Sequence, residues 1–279
     1  MTPRVLVEGL HFPECPRWHE GRLWFSDMHG HRVMRAELTG RSEVVAQLSS
    51  PPAGLGWTPE GQLLAVSMVD RRLLRLDGTQ WTVVADLARL ASFHCNDMVV
   101  DARGRACVGT FGFDFEGGAP FKLGEIILVD PSGAARVVAD DARFPNGMVL
   151  TPDGRTLIVA ESMGPAVRAY DVAADGSLSN GRTWAELSDV VPDGICLDAE
   201  GAIWVANAIA TEVVRVLSGG TVTQRVAVSN HAFACMLGGP DRRTMFVLTA
   251  DNSNPEYCRT GATGKIETFV VDVPGAGLP

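Results

Sequence analysis

A chain of 279 residues with 46% hydrophobic and 20% charged side chains has an ordinary globular composition and can bury a large core. A formal net charge of -9, with no clustered Lys and Arg, excludes the usual nucleic-acid-binding surface and points to a small molecule or a cation as partner. The 30 glycines and 16 prolines favour many turns over long helices, which makes an all-β chain the expectation.

The N-terminal stretch "MTPRVLVEGLHFPEC" carries no long uncharged run and no small-residue cleavage pattern. Neither secretion nor membrane insertion is expected, and the location is read as cytoplasmic. The six cysteines, 15, 95, 107, 196, 235 and 258, show no CxxC spacing, so buried free thiols are expected rather than a disulfide framework or a zinc finger.

From Glu14 onward one unit recurs: "ECPRWHEGRLWFSD", "GLGWTPEGQLLAVS", "NDMVVDARGRACVGT", "NGMVLTPDGRTLIVAES", "DGICLDAEGAIWVAN" and "ACMLGGPDRRTMFVLT". Each is a short apolar strand, a tight turn and a second apolar strand. Gly21, Gly61, Gly104, Gly154 and Gly201 hold the turn position, with Arg242 in the sixth unit. A third alternating strand follows, as in "HRVMRAEL" and "GEIILVDP". Six units of this kind predict a six-bladed β-propeller over 1–279, a single domain without linkers. The first strand, "RVLVEGL", precedes the first unit and is expected to complete the sixth blade and close the ring.

The first strand of each blade lines the central channel of a propeller, so equivalent positions converge on its axis. Counted back from the turn glycines, those positions hold Glu14 (one residue out of register), Ala53-Gly54, Asn96, Asn146, Asp193 and Ala234. Two carboxylates and two amides meeting there would repel without a counter-charge, whereas one hard divalent cation suits this all-oxygen set. Ca²⁺ is favoured; Mn²⁺, Mg²⁺ and Zn²⁺ also fit.

Together these motifs, from "FPECPRWHEGRLWFSD" through "NDMVVDARGR" and "FPNGMVLTPDGRTLIVAES" to "PDGICLDAEGAIWVAN", resemble the SMP-30/gluconolactonase/luciferin-regenerating-enzyme family of six-bladed propellers. The resemblance implies metal ligands at Glu14, Asn146 and Asp193, with Asn96 touching substrate or completing the metal shell. It implies a lactonase in which Asp193 orients or deprotonates the attacking water. Two positions depart from the family's sugar lactonases: His94 replaces the usual Arg two residues before Asn96, and Met98 replaces the glycine that follows Asp97.

The expected chemistry is opening of a lactone or related ester by water attack on a carbonyl polarised by the cation. His94, two residues from Asn96, should share its strand face and bind substrate, act as a general acid/base or simply belong to the channel wall. His29 and His31 are expected in an exposed turn, and His231 in a loop near the channel mouth. Cys15 and Cys95 should point away from the axis. Phe12, Phe93, Phe113, Phe144 and Phe233 flank the channel-lining segments, as core residues or as an apolar rim. No GxSxG elbow, P-loop or dinucleotide-binding motif is present. The competing readings are a phosphotriester or fluorophosphate hydrolase on the same site and a calcium-binding protein without turnover.

Overall fold

The computed structural model describes residues 2–164 and 166–278. It forms six four-stranded antiparallel sheets arranged as the blades of a β-propeller. The innermost strands are Pro13–His19, Pro52–Trp57, Cys95–Val100, Pro145–Leu150, Pro192–Leu197 and His231–Gly238. Each hairpin closes where the repeated turn glycine sits: Gly21, Gly61, Gly104, Gly154 and Gly201 all have φ between 66° and 83°, and Arg242 adopts φ 57° in their place. That left-handed conformation is cheap for glycine and costly for other residues, which explains the recurrence.

Each sheet packs against its neighbours through apolar side chains. One cluster joins Leu23 and Phe25 of blade 1 to Trp204 of blade 5 and Phe246 of blade 6. The N-terminal strand Arg4–Leu10 pairs antiparallel with Gly264–Val270, as the outermost strand of the sheet that holds His231–Gly238. The C-terminal segment runs across the opposite end of the barrel of inner strands. There the Leu278 carbonyl accepts from Leu150 N at 2.9 Å, Ala276 N donates to the Leu197 carbonyl at 2.9 Å and Gly275 N donates to the Arg242 carbonyl at 2.8 Å. Leu278 also borders a cavity with Arg17, Leu55 and Val100.

A second repeated hydrogen bond defines the other end. In blades 1 to 5 the residue before the inner strand accepts from the first residue after the second strand: Met28 N to Phe12 O, Met68 N to Pro51 O, Phe111 N to His94 O, Ser162 N to Phe144 O and Ala208 N to Val191 O, at 2.9–3.2 Å. The loops that follow the second strands therefore surround the mouth where the inner strands begin. Blade 6 adds the helix Pro255–Gly261, capped by Asn254, whose side chain accepts from Glu256 N and Tyr257 N. Among the described residues no helix is long and apolar enough to cross a membrane.

Candidate metal centre

All six inner strands are interrupted at the same height by a β-bulge. The pairing shifts between Glu14 and Arg17, Pro52 and Leu55, Cys95 and Met98, Pro145 and Met148, Pro192 and Ile195, and Ala232 and Ala234. A bulge frees residues from the ladder and turns their side chains off the sheet. Asn96, Asn146 and Asp193 are the first bulge residues of their strands, and Glu14 stands at the edge of its own. Glycine follows in blades 2, 4 and 5 because neighbouring strands come close there. A Cβ on Gly147 would lie 2.6 Å from Ile195 N, one on Gly194 would lie 2.6 Å from Ala234 Cα, and one on Gly54 would collide with Met98 N.

Their hydrogen bonds leave the side-chain oxygens open. Asn96 Nδ2 donates to the Pro145 carbonyl at 3.1 Å. Asn146 Nδ2 donates to Ser162 Oγ at 3.2 Å, which donates to the Pro192 carbonyl at 2.8 Å. Asn96 is thus tied by nitrogen to the next blade, Asn146 is tied to Ser162 of its own blade and reaches the next through that hydroxyl, and both amide oxygens are the free ends. Glu14 Oε2 accepts from Cys15 N at 2.9 Å. Asp193 Oδ1 is buried without any hydrogen-bond partner among the described residues. An orphaned carboxylate oxygen in a closed site is costly, and it needs a proton or a cation.

The electrostatics agree. Burial pushes Glu14 up to about 8, with the Asp97 carboxylate adding to the effect while Cys15 N–H and the Arg17 guanidinium oppose it. Burial, then Glu14 and then Asp97, holds Asp193 well above the ordinary carboxylate range. Two interacting carboxylates, one accepting only from Cys15 N and the other with an unpartnered oxygen, together with two amide oxygens, are the kind of donor set that would suit a hard divalent ion. Among the described residues no cluster of three or more His, Cys, Asp or Glu side chains is placed to hold a metal, so a cation here depends on the amides.

Two of the left-handed non-glycine residues of the described chain stand beside these side chains. Cys15 has φ 49° and Phe144 has φ 61°, positions that side chains with a Cβ seldom occupy. In blade 1 the hairpin closes tightly, with His19 paired to Arg22 where blade 3 pairs Val100 with Ala106, and the bulge begins at Cys15, so Glu14 stands one residue before it and out of register with Asn96. The Phe144 kink is supported by its ring, stacked on Phe111 at 4.4 Å.

His94 lies just outside the bulge. Its ring stacks on Phe93 at 3.9 Å and tilts against Phe111 at 5.9 Å, and burial lowers its pKa. No hydrogen bond among the described residues joins it to Asn96 or Glu14. In blade 6 the bulge residue is Phe233, packed edge-on to Phe12 at 4.8 Å, while Ala234 backs onto Gly194; the small residue expected at that place is a phenylalanine instead. His29 is buried rather than exposed: its Nε2 pairs with the Ser253 carbonyl at 3.1 Å and its ring stacks on Phe12 at 5.0 Å. Burial raises the Cys95 thiol to about 12 and Cys15 well above the ordinary value, so neither offers a thiolate.

Sequence reasoning missed the pair beneath the site. Arg17 and Asp97, both buried, form a salt bridge that joins blade 1 to blade 3, and Arg17 Nε also donates to the Leu55 carbonyl of blade 2 at 3.0 Å. An Arg in the second half of an inner strand and an Asp at a bulge position that holds glycine in blades 2, 4 and 5 were its signals.

Residues 12–251 match the family model described as SMP-30/Gluconolactonase/LRE-like region. The chain belongs to this family. Among its relatives is a pentonolactonase of Haloferax volcanii, 28% identical, with 99% of this chain and 96% of that protein covered. Xenopus laevis regucalcin is 28% identical over 88% of this chain and 85% of its own length. A solved luciferin-regenerating enzyme superposes with a TM-score of 0.83 at 17% identity, covering 99% of both chains, and shares the propeller fold.

Proposed function

We propose that this protein is a lactonase that opens a lactone, or a related ester, with one divalent cation held by Glu14, Asn96, Asn146 and Asp193. The observation that carries the reading is the buried Asp193 Oδ1, without a hydrogen-bond partner among the described residues and close enough to the Glu14 carboxylate to feel its charge. The oxygen-only donor set favours Ca²⁺ over softer ions. Membership of the family, and a pentonolactonase among the relatives, support the lactone as substrate. When bound, the cation supplies a Lewis acid for the carbonyl and the oxyanion.

The protein's own groups do the rest. Asp193, with no protein donor on Oδ1, orients a water and accepts its proton as the water attacks the carbonyl carbon. The same carboxyl then returns the proton to the ring oxygen as the acyl–oxygen bond breaks, giving a hydroxy acid. Asn96, anchored through Nδ2, presents Oδ1 to the cation or to a substrate hydroxyl. His94, kept neutral by burial, offers one ring nitrogen to the substrate.

A panel of sugar and aliphatic lactones, assayed after chelation and again after adding back single metals, tests the reading. Turnover restored by one cation and abolished in Asp193→Ala is expected; no turnover with any metal would sink it.

A further inference from the structure

The loop between the second and third strands of blade 3 is the longest on the mouth of blades 1 to 5, and it is rich in phenylalanine. Phe111 stacks on Phe144, while Phe113 and Phe115 meet the same ring edge-on at 6.2 and 6.1 Å. Phe121 closes on Phe113 at 5.5 Å. The inner rings are covered, but Phe115 and Phe121 remain 50% and 45% exposed. The wall adjoins the polar site through the backbone. Phe144 is followed by Pro145, whose carbonyl anchors Asn96, and by Asn146 itself. Across the same mouth, Ile209 of blade 5 and Tyr257 of blade 6 are 62% and 46% exposed.

We infer that this aromatic wall receives an apolar substituent of the substrate, so that the preferred lactone carries a medium-length alkyl or an aryl group rather than the hydroxyls of a sugar. The inference rests on the lactonase reading above. Half-exposed rings beside a concave site gain by covering apolar area, and an alkyl chain is the complement that covers them. A polyhydroxylated ring would need a donor or acceptor for each hydroxyl, since an unmatched one is left without partners. The charged groups of the wall sit at its rim: Glu116 and Lys122 flank Phe115 and Phe121 in sequence, the Arg143 guanidinium lies 5.4 Å from the centre of the Phe121 ring, and Asp114 Oδ1 is engaged by Gly117 N at 2.8 Å within the loop.

The test is kcat/KM of the cation-loaded enzyme on γ-butyrolactone and its γ-methyl, γ-hexyl and γ-phenyl derivatives, with glucono-δ-lactone beside them. The hexyl and phenyl compounds should exceed the unsubstituted ring by about tenfold or more. In a Phe115→Ser/Phe121→Ser variant, altered only at exposed positions, the hexyl-to-unsubstituted ratio should fall about tenfold. A flat series, or a preference for glucono-δ-lactone, overturns the inference and leaves the lactonase reading standing. If no lactone is opened, that reading fails on its own, and calorimetry with cyclopentanone and 2-hexylcyclopentanone decides the wall. Tighter binding of the hexyl ketone, lost in the double variant, supports it, and equal binding overturns it.

Discussion

Arg17 Nη2 donates to Asp97 Oδ1 at 2.6 Å, a buried contact that spans 80 positions of sequence and fastens blade 1 to blade 3 behind the inner strand of blade 2. Removing one partner strands the other charge. Asp97→Ala should therefore lower unfolding stability by about 3–5 kcal/mol, read from urea denaturation, while the joint change Arg17→Met with Asp97→Leu recovers most of the loss. Equal destabilisation by the single and joint variants would contradict this account.

Asp193→Asn separates stability from ion binding. In chelator the variant should be at least as stable as the parent, because the amide removes a desolvated carboxylate repelled by Glu14 and Asp97. Saturating Ca²⁺ should raise the Tm of the parent by several degrees, as about 2.7 kcal/mol of linkage at a hundredfold excess over Kd implies, and leave the variant almost unmoved. An undiminished shift in the variant would remove Asp193 from the ion site.

Two glycines should fail for different reasons. In Gly194→Ala the new methyl meets Ala234 Cα, and overpacking should cost about 1–3 kcal/mol while weakening the response to cation. Gly201→Ala has open space around it but keeps φ 78°, so it should cost about 1–2 kcal/mol through backbone strain alone, with the cation response intact. Thermal melts with and without Ca²⁺ compare the two.

His29 makes the fold sensitive to acid. Burial holds its pKa down at about 4, against 6.5 ordinarily, so between those values the unfolded chain binds the proton that the folded protein refuses. Stability is complete above about pH 6.5 and falls as the pH drops through that window, by on the order of 3 kcal/mol from this group. His29→Gln, which keeps a donor for the Ser253 carbonyl, should flatten that part of the profile in denaturation at pH 7 and pH 4. A parallel profile would discard the assignment.

The six blades were legible because one backbone requirement recurs. Each hairpin needs a left-handed residue at the turn, and five times of six the chain supplies glycine. The equivalence of Asn96, Asn146 and Asp193 was legible for the same reason, since each follows a fixed count from that turn. Beyond single-strand periodicity the reading stopped. A bulge breaks the two-residue alternation just where Asn96 and His94 were expected to share a face, and His94 lies against Phe93 and Phe111. The Arg17–Asp97 bond and the pairing of buried His29 with the Ser253 carbonyl of blade 6 depend on contacts between blades, for which no local pattern exists.

The C-terminal segment bonds across the far ends of blades 4, 5 and 6, at Leu150, Leu197 and Arg242, and Leu278 reaches the cavity beside Arg17 of blade 1. On the lactonase reading, a neutral ring passing inward over the phenylalanines and an ionised hydroxy acid passing outward would share the mouth. The two travellers differ in charge, and Glu14 and Asp193 stand at the turning point. Traffic would then be sorted by chemistry instead of by route: the lining that welcomes the ring has little hold on the acid, whose charge favours water.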